Sequence, residues 1–323
     1  MTGDPSRPPI VVAHDRPEDF ASDLETRAPG ERFIYATDGP SVLRLLAEHN
    51  PEVVLSISHS GFQGPLHHPI VEHPSVRWVQ VGGSGYEHLE PWDASRLVVT
   101  NGVGVLARFL AETTIGAMLA LNARLPEYAR DQAETRWRPR TFRTLSEQTI
   151  LIVGLGHIGT WMARYARALG MRVLATRRSA TPSPAVDELH PPEALLELLP
   201  RADVVSLHVR LNEATRHLID TRALEAMKPG ALLLNTARGP VVDEPALIEA
   251  LASGHLGGAY LDVFEEEPLP VSSALWRLPN VIVTPHASDA VEDWAHRFAM
   301  LFADNLERWR AGEPLLNVVT PSS

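Results

Sequence analysis

The feature that most restricts the fold of this chain is an apolar run that leads directly into a glycine-rich turn. Residues 149–153 read TILIV, and residues 154–159 read GLGHIG. A stretch with helical spacing follows at Thr160–Leu169, and a second β-rich run follows at Met171–Thr176. A glycine-rich turn between a buried strand and a helix predicts the βαβ unit that binds a dinucleotide.

Each glycine of this turn has a separate task in such a unit. Gly154 allows the tight turn, Gly156 lets the backbone approach a pyrophosphate, and Gly159 lets the helix and the strand pack closely. The helix N-terminus then offers unpaired amide groups to the phosphates, so His157 and Ile158 join the predicted cofactor-binding set. The alternative is a tight turn in an α/β domain that binds no ligand.

The rest of the chain alternates short β-rich runs with helical stretches, which favours parallel α/β units. Its 323 residues exceed the usual size of a single core. We therefore predict two doubly wound parallel-sheet domains: a Rossmann domain at 100–288, and a substrate domain formed by 1–99 with 289–323. The predicted helices include Ser41–His49, Leu106–Leu125 and a closing helix at Asp289–Arg310. The predicted strands are Ile10–Ala13, Arg32–Ala36, Val53–Ile57, Val76–Val81, Leu97–Thr100, Thr149–Val153, Met171–Thr176, Val204–His208, Ala231–Asn235, Gly258–Val263 and Val281–Thr284.

Composition excludes several classes of partner. The net charge of −11 disfavours nucleic acid and anionic membranes as partners. The chain has no cysteine, so disulfides and thiolate metal sites are excluded. No apolar run reaches the length of a membrane span, and the N-terminus has no signal-peptide pattern, so we expect a cytoplasmic protein. The cluster of His59, His67, His68 and His73 fits no metal-ligand spacing; we predict solvated loop histidines and no metal site.

The end of the second strand of the nucleotide unit is basic. An NAD-binding unit is expected to place an acidic residue there, to accept a bond from the ribose 2′-hydroxyl. This chain has Arg177, Arg178 and Ser179 instead. Two guanidinium groups and a hydroxyl suit a 2′-phosphate, so we predict that NADP is preferred and that NAD remains possible. The alternative is a solvated basic surface.

Three ionisable residues follow apolar strands later in the chain. Arg238 lies in NTARGPVVDE, Glu267 in YLDVFEEEP and His286 in VTPHAS. The carboxyl ends of parallel strands face the ligand crevice, so these side chains are expected to converge beside the nicotinamide. Histidine supplies the proton for carbonyl reduction, a carboxylate favours its protonated form, and arginine binds and polarises a 2-oxo acid. The alternatives are a structural salt bridge for Arg238 and Glu267 and a capping or core role for His286.

These motifs occur in an order that resembles the D-isomer-specific 2-hydroxyacid dehydrogenases, a family that includes glyoxylate and hydroxypyruvate reductases. The resemblance covers about residues 80–290 and includes GLGHIG, SLHVRLNEATRHLI, MKPGALLLNTARGPVVDEPALIEAL, LDVFEEEP and LPNVIVTPH. It implies that Arg238, Glu267 and His286 are catalytic. It also implies that Asp262 holds the nicotinamide carboxamide. Ser288 departs from the pattern, because glycine is frequent there in the family.

The resemblance extends to two further parts of the site. VGGSGYEHL resembles the family's substrate-carboxylate loop, in which backbone amides of Gly83, Ser84 and Gly85 would bind the carboxylate; a plain strand-to-helix turn is the alternative. Residues at the strand end before Arg238, Thr236 and Ala237, complete the predicted cofactor-binding set.

The implied activity is hydride transfer from NAD(P)H to a small 2-oxo acid, which gives a D-2-hydroxy acid. The resemblance implies a homodimer with an interface in Leu106–Arg143. Within the Arg-rich connector Arg130–Arg143 we predict that Trp137 packs an interface; the alternative is that it reaches the partner's active site, as a tryptophan in this region does in some similar reductases. Two other functions remain open. One is a nucleotide-sensing transcriptional corepressor of the same fold, and the other is a formate-type dehydrogenase, which pairs its histidine with an amide where this chain has Glu267.

Overall fold

The computed structural model describes residues 7–57 and 67–321, and the chain divides into two compact units. Unit 1 comprises Met1–Leu106 with Val291–Ser323, and unit 2 comprises Ala107–Ala290. The sequence predicts these boundaries at 99/100 and 288/289. Residues 100–106 stay with unit 1 because the amide of Gly102 donates to the carbonyl of Gly83 at 2.5 Å, and because Val105 packs against a core cluster of unit 1.

The N-terminal part of unit 1 alternates strands and helices as the sequence predicts. The helix α2 is fixed at both ends: Asp38 and Ser41 form a capping box, and Asn50 closes it in the left-handed conformation. The elements are β1 (Ile10–Ala13), α1 (Ala21–Arg27), β2 (Phe33–Ala36), α2 (Gly39–His49), β3 (Val53–Ser56), α3 (His68–Glu72), β4 (Trp78–Val81) and β5 (Val98–Thr100).

Unit 2 follows with one seven-stranded sheet. Its elements are α4 (Ala107–Asn122), α5 (Leu125–Ala133), β6 (Thr149–Val153), α6 (His157–Ala168), β7 (Arg172–Thr176), β8 (Glu188–His190), α7 (Leu195–Leu198), β9 (Val204–Leu207), α8 (Thr221–Ala226), β10 (Leu232–Asn235), α9 (Glu244–Ala252), β11 (Gly258–Leu261) and β12 (Val281–Val283). The strands are all parallel, in the order β12-β11-β10-β9-β6-β7-β8.

The chain ends in unit 1 with α10 (Trp294–Ala311) and β13 (Val318–Val319). The six-stranded sheet has the order β13-β5-β4-β3-β1-β2, and β13 pairs antiparallel with β5. The predicted parallel sheet is therefore confirmed for β1–β5, and the short antiparallel strand β13 at its edge was not among the predicted strands. The closing helix also begins later than predicted, because residues 289–293 form turns before Trp294.

Each sheet is covered by apolar clusters on both faces, which makes both units doubly wound. In unit 2 the helices α4 and α6 cover one face, and α7, α8 and α9 cover the other. In unit 1 the helices α2 and α3 cover one face, and α1 and α10 cover the other. Strands that are buried on both faces read as continuous apolar runs, which is why the sequence revealed most of them.

Two helix limits in unit 2 differ from the prediction. The first long helix ends at Asn122, and Arg124 adopts a left-handed conformation before α5 continues into the predicted connector. The helix after the glycine turn begins at His157, with Gly156 as its N-cap, rather than at Thr160. The helix α9 is capped by Asp243, whose side chain accepts a bond from the amide of Ala246, and it has a proline in its first turn.

Candidate active site

The carboxyl ends of five neighbouring strands form one edge of the unit 2 sheet. The register aligns the last residues of β6, β9, β10, β11 and β12, which are Val153, Leu207, Asn235, Leu261 and Val283. The residues that follow them therefore form a row along this edge: Gly154, His208, Thr236, Asp262 and Thr284. The predicted cofactor and catalytic residues of unit 2 lie in this row or in the turns just beyond it, except Arg177, Arg178 and Ser179, which follow the neighbouring strand β7.

At two positions of the phosphate turn, residues 154–159, a side chain would not fit. Gly154 has φ +100, and a Cβ there would lie 2.6 Å from the carbonyl oxygen of His208. A Cβ at Gly159 would lie 2.2 Å from the carbonyl oxygen of Gly154. Both approaches are too close for any other residue, so these glycines hold the turn tightly against the sheet.

The space beside Gly156 fits a dinucleotide pyrophosphate. A Cβ at Gly156 would meet no atom within 4 Å, so the backbone is open to a ligand there. Gly156 caps α6 without any side-chain bond, which leaves the first amides of the helix available to an anion. His157 is exposed at the first helical position.

The basic segment at the end of β7 has one arginine that is already engaged. Arg177 donates from Nε to the carbonyl of Ser179 at 3.1 Å, and from its terminal nitrogen to the carbonyl of Thr181. The hydroxyls of Ser179 and Thr181 lie 2.8 Å apart. Arg178 is exposed, and its guanidinium has no hydrogen-bond partner among residues 7–57 and 67–321. Arg177 therefore shapes the loop, and Arg178 is the guanidinium open to a ligand.

The predicted proton donor and its carboxylate are in direct contact. His286 Nδ1 lies 2.8 Å from Glu267 Oε2, and the other oxygen of Glu267 accepts a bond from the amide of Phe264 at 3.0 Å. Roughly half of the His286 side chain is exposed. The Nδ1 atom is thus fixed, and the opposite ring nitrogen, Nε2, is the atom that can face a substrate.

Asp262 anchors the segment that carries His286. Its buried carboxylate accepts bonds from the hydroxyl of Thr284 at 2.5 Å, the amide of Ala287 at 2.9 Å, and the amide and hydroxyl of Ser288 at 3.2 and 2.6 Å. These four donors match the number of acceptor positions of a carboxylate. The main chain of His286 has φ +50, a strained conformation for a non-glycine residue, and its amide donates to the carbonyl of Asp262.

Sequence reasoning assigned Asp262 only to the nicotinamide and missed this anchoring role. The sequence signal for this role was Ser288. Its hydroxyl donates a bond to Asp262 that glycine, which is frequent at this position in the family, could not donate.

The segment that carries Arg238 is folded by the end of its own strand. Asn235 accepts from the amide of Ala237 at 3.0 Å and donates to the carbonyl of Arg238 at 3.1 Å. The guanidinium of Arg238 is exposed and donates to the carbonyl of Ala237 at 2.6 Å. A Cβ at Gly239 would lie 1.8 Å from the carbonyl oxygen of Phe264. The Arg238 segment and the Glu267 segment therefore touch through their backbones.

Two residues of the row, His208 and Thr236, each bury a polar side-chain atom, and His208 was not among the predicted site residues. Nδ1 of His208 and Oγ1 of Thr236 have no hydrogen-bond partner among the described residues. Nε2 of His208 lies 2.8 Å from the hydroxyl of Ser206, and burial lowers the pKa of His208 to about 3. The imidazole is therefore neutral. Its position directly after the apolar run of β9 was the signal that could have pointed to it.

The predicted carboxylate turn lies in unit 1, after β4. Gly83 has φ +88, which favours glycine, and the carbonyl of Ser84 accepts a bond from the side chain of Asn101 at 2.7 Å. Within the described part of the chain, the amides of Gly83, Ser84 and Gly85 donate to no other group. The turn thus presents consecutive free amides, as a carboxylate-binding loop requires.

The histidine cluster of unit 1 has a packing role where it is described; His59 lies outside the described residues. His67 is fully buried, with Nδ1 3.0 Å from the hydroxyl of Ser56, so the prediction of a solvated loop histidine was wrong for it. Nδ1 of His73 lies 2.8 Å from the hydroxyl of Ser75, and His68 begins α3. Across residues 7–57 and 67–321, no group of three or more metal-ligating side chains is placed to hold an ion. No helix in that part of the chain is long and apolar enough to cross a membrane.

Comparison with known proteins gives consistent matches. The family model described as "D-isomer specific 2-hydroxyacid dehydrogenase, NAD binding domain" matches residues 115–288. A glyoxylate reductase of Korarchaeum cryptofilum is 33% identical over 97% of this chain and 96% of its own length. An (S)-sulfolactate dehydrogenase of Chromohalobacter salexigens is 47% identical over 161 residues, which are 50% of this chain and 52% of that protein. A crystal structure of a D-isomer specific 2-hydroxyacid dehydrogenase from Xanthobacter autotrophicus, in complex with NADPH and MES, superimposes with a TM-score of 0.81. The two sequences are 31% identical, and the match covers 98% of this chain and 99% of that one.

Proposed function

The chain belongs to the D-isomer specific 2-hydroxyacid dehydrogenase family, and from that premise we propose that it reduces a small 2-oxo acid of the glyoxylate or hydroxypyruvate type to a D-2-hydroxy acid. The observation that carries the proposal is the 2.8 Å contact between His286 Nδ1 and Glu267 Oε2, beside the segment of Arg238. An imidazole held by a carboxylate is suited to give a proton near neutral pH.

The proposed roles follow from the atoms that remain available. The bound nicotinamide supplies the hydride that carbon 2 of the substrate accepts. Arg238 binds the substrate carboxylate and draws electron density from the 2-oxo oxygen. His286 gives the proton on Nε2 to that oxygen, which becomes the hydroxyl of the product. Glu267, bonded to Nδ1, orients the ring and stabilises its charged form before the transfer.

We further propose that NADPH is preferred over NADH. The support is the basic end of β7, where Arg178 is exposed and the Ser179 hydroxyl adjoins it, and where no acidic side chain stands to repel a 2′-phosphate. Charge-assisted bonds contribute about 1.5–3 kcal/mol each, so a single one would give roughly a tenfold to hundredfold preference. Steady-state kinetics with both cofactors tests this. Arg178→Ala should remove most of the preference, and equal efficiency of the parent protein with NADH and NADPH would refute it.

A homodimer through Leu106–Arg143 remains a proposal. Its support is the apolar surface of this region: Trp137 is 96% exposed and Phe142 is 63% exposed, which is unusual for such large apolar side chains. Sedimentation analysis of the parent protein and of a Trp137→Ala/Phe142→Ala variant would test it. The cytoplasmic location and the bond of Asp262 to the carboxamide stay predictions.

One assay separates the proposal from its alternatives. Purified protein with NADPH and glyoxylate should oxidise the cofactor and form glycolate in equal amounts. A corepressor of the same fold would bind the cofactor without turnover, and a formate-type enzyme would instead reduce NAD with formate. A screen of hydroxypyruvate, pyruvate, bulkier 2-oxo acids and the 2-oxo acid that corresponds to sulfolactate would then define the substrate.

A further inference from the structure

A third segment runs beside the one that carries Arg238. The amide of His217 donates to the carbonyl of Pro240 at 2.8 Å, and the amide of Ile219 donates to the carbonyl of Val241 at 3.1 Å. Ile219 and Val242 form an isolated parallel bridge. His217 has φ +48, so its backbone adopts a left-handed conformation to make this alignment. Residues 217–219 are thus fixed to the segment that follows Arg238.

The side chain of His217 reaches the segment that carries Glu267. Nε2 of His217 lies 3.0 Å from Oε1 of Glu265. The same oxygen accepts the amide of Glu244 at 3.4 Å, and the amide of Glu265 donates to the carboxylate of Glu244 at 3.2 Å. Glu265 is therefore held by His217 on one side and by the N-terminus of α9 on the other.

These contacts meet where the two segments already touch. The main chain of Gly239 lies against Phe264, with no room for a Cβ. Phe264 in turn donates to Glu267. Besides this contact, the bonds between Glu244 and Glu265 join the two segments at the start of α9. His217, bonded to Pro240 and to Glu265, adds a second restraint closer to Arg238 in the chain.

We propose that His217 is a positioning residue for the reduction, which ties the Arg238 segment to the Glu267 segment through Pro240 and Glu265. The inference rests on the proposed function, because its purpose is to keep Glu267 against His286 while Arg238 holds the substrate. A pair as exposed as His217 and Glu265 contributes little to global stability. Its value lies in geometry, since small displacements of catalytic groups reduce rate strongly.

Two matched pairs of variants test the kinetic consequence. His217→Asn tolerates the left-handed backbone but is too short to reach Glu265, and Glu265→Ala removes the acceptor. Each should lower kcat for glyoxylate reduction about five- to twentyfold, with the NADPH dissociation constant within about twofold of the parent. Arg216→Ala and Glu266→Ala, at the neighbouring exposed positions, are the controls and should stay near parent activity. Glu265→Gln keeps the accepting oxygen and should restore most of the loss.

A double-variant cycle shows whether the effect passes through Glu267. If it does, adding His217→Asn to Glu267→Gln should cost less than about twofold more, because the carboxylate that it positions is already gone. Fully additive losses, or a His217→Asn variant that matches its control, would overturn the proposal.

Amide hydrogen exchange provides a readout that needs no activity. The amide of Phe264 should exchange several-fold faster in His217→Asn and Glu265→Ala than in the parent, and should be unchanged in the two controls. If the parent reduces no 2-oxo acid, the proposed function fails and the exchange still decides whether the tie exists. If exchange is the same in all variants, the tie is refuted whatever the activity.

Discussion

In the row formed by the five strand ends of the unit 2 sheet, the candidate site consists of backbone at the β6 end, whereas at the β10–β12 end it consists of side chains that other side chains hold in place. Around the phosphate turn, Gly154 and Gly159 permit close approach, and Gly156 leaves open space. At the other end, Glu267 holds the ring of His286, and Asp262 anchors the segment that carries it. Both ends lie on the same edge of one sheet.

The difference between the two ends predicts how each responds to change. A side chain added at an open backbone position fills the place of the ligand but disturbs no protein contact. A change at the catalytic end moves segments that touch one another, so its effect spreads to residues that it does not contact. Substitutions should therefore separate cofactor affinity from turnover.

Apart from loss of the proton donor itself, the largest effect should come from Arg238→Ala. Loss of the carboxylate-binding fork and of the polarising charge should lower kcat/KM for glyoxylate about a thousandfold. The NADPH dissociation constant should stay within about twofold of the parent, as measured by quenching of cofactor fluorescence. Arg216→Ala serves as the control for loss of a nearby guanidinium. A parallel loss of cofactor affinity in Arg238→Ala would break the separation between the two ends.

Two glycine variants, one at each end, should show effects of intermediate size that differ in kind. Gly239→Ala forces a Cβ against Phe264 and should destabilise the protein by about 3 kcal/mol while lowering turnover. Gly156→Ala meets no protein atom, so its unfolding free energy should stay within about 0.5 kcal/mol of the parent. Its NADPH affinity should still fall about tenfold, because the methyl group enters the space for the pyrophosphate. Urea unfolding and cofactor titration of both variants measure the contrast. Equal stability losses would contradict it.

The phosphate end could be predicted from sequence because its geometry is local. Three glycines at fixed spacing, between an apolar strand and a helix, determine the turn without help from distant residues. The sequence also singled out Arg238, Glu267 and His286, because each follows an apolar strand, and their catalytic roles stay predictions. The contact between Glu267 and His286 agrees with that prediction.

The supports of the catalytic end could not be predicted, because they join segments that are distant in the chain. The contact of Gly239 with Phe264 depends on how two turns pack, and no residue pattern encodes it. The strand β8 was missed for a similar reason. Its residues, Glu188, Leu189 and His190, lack an apolar run, and Glu188 is held by Arg172 and Arg201 instead.

The smallest effect concerns pH and His208, which lies between the two ends. Burial lowers the folded-state pKa of His208 to about 3, so the unfolded chain binds more protons between about pH 6.5 and pH 3. Stability linked to this group is therefore present above pH 6.5 and is lost as the pH falls. Between pH 7 and pH 5 the parent should lose up to about 2 kcal/mol more unfolding free energy than His208→Gln. Urea unfolding at both pH values checks this, and parallel losses in the two proteins would show that His208 is not buried in the neutral form.

The proposed reduction depends on proton transfer by His286, and a single-turnover experiment tests this step. Parent protein and His286→Ala are each loaded with NADPH and mixed with glyoxylate, and the loss of cofactor absorbance is followed. His49→Ala, at an exposed site in unit 1, is the control. We expect His286→Ala to bind NADPH like the parent and to oxidise it about two to four decades more slowly. Oxidation at the parent rate by His286→Ala would contradict the assignment of the proton donor.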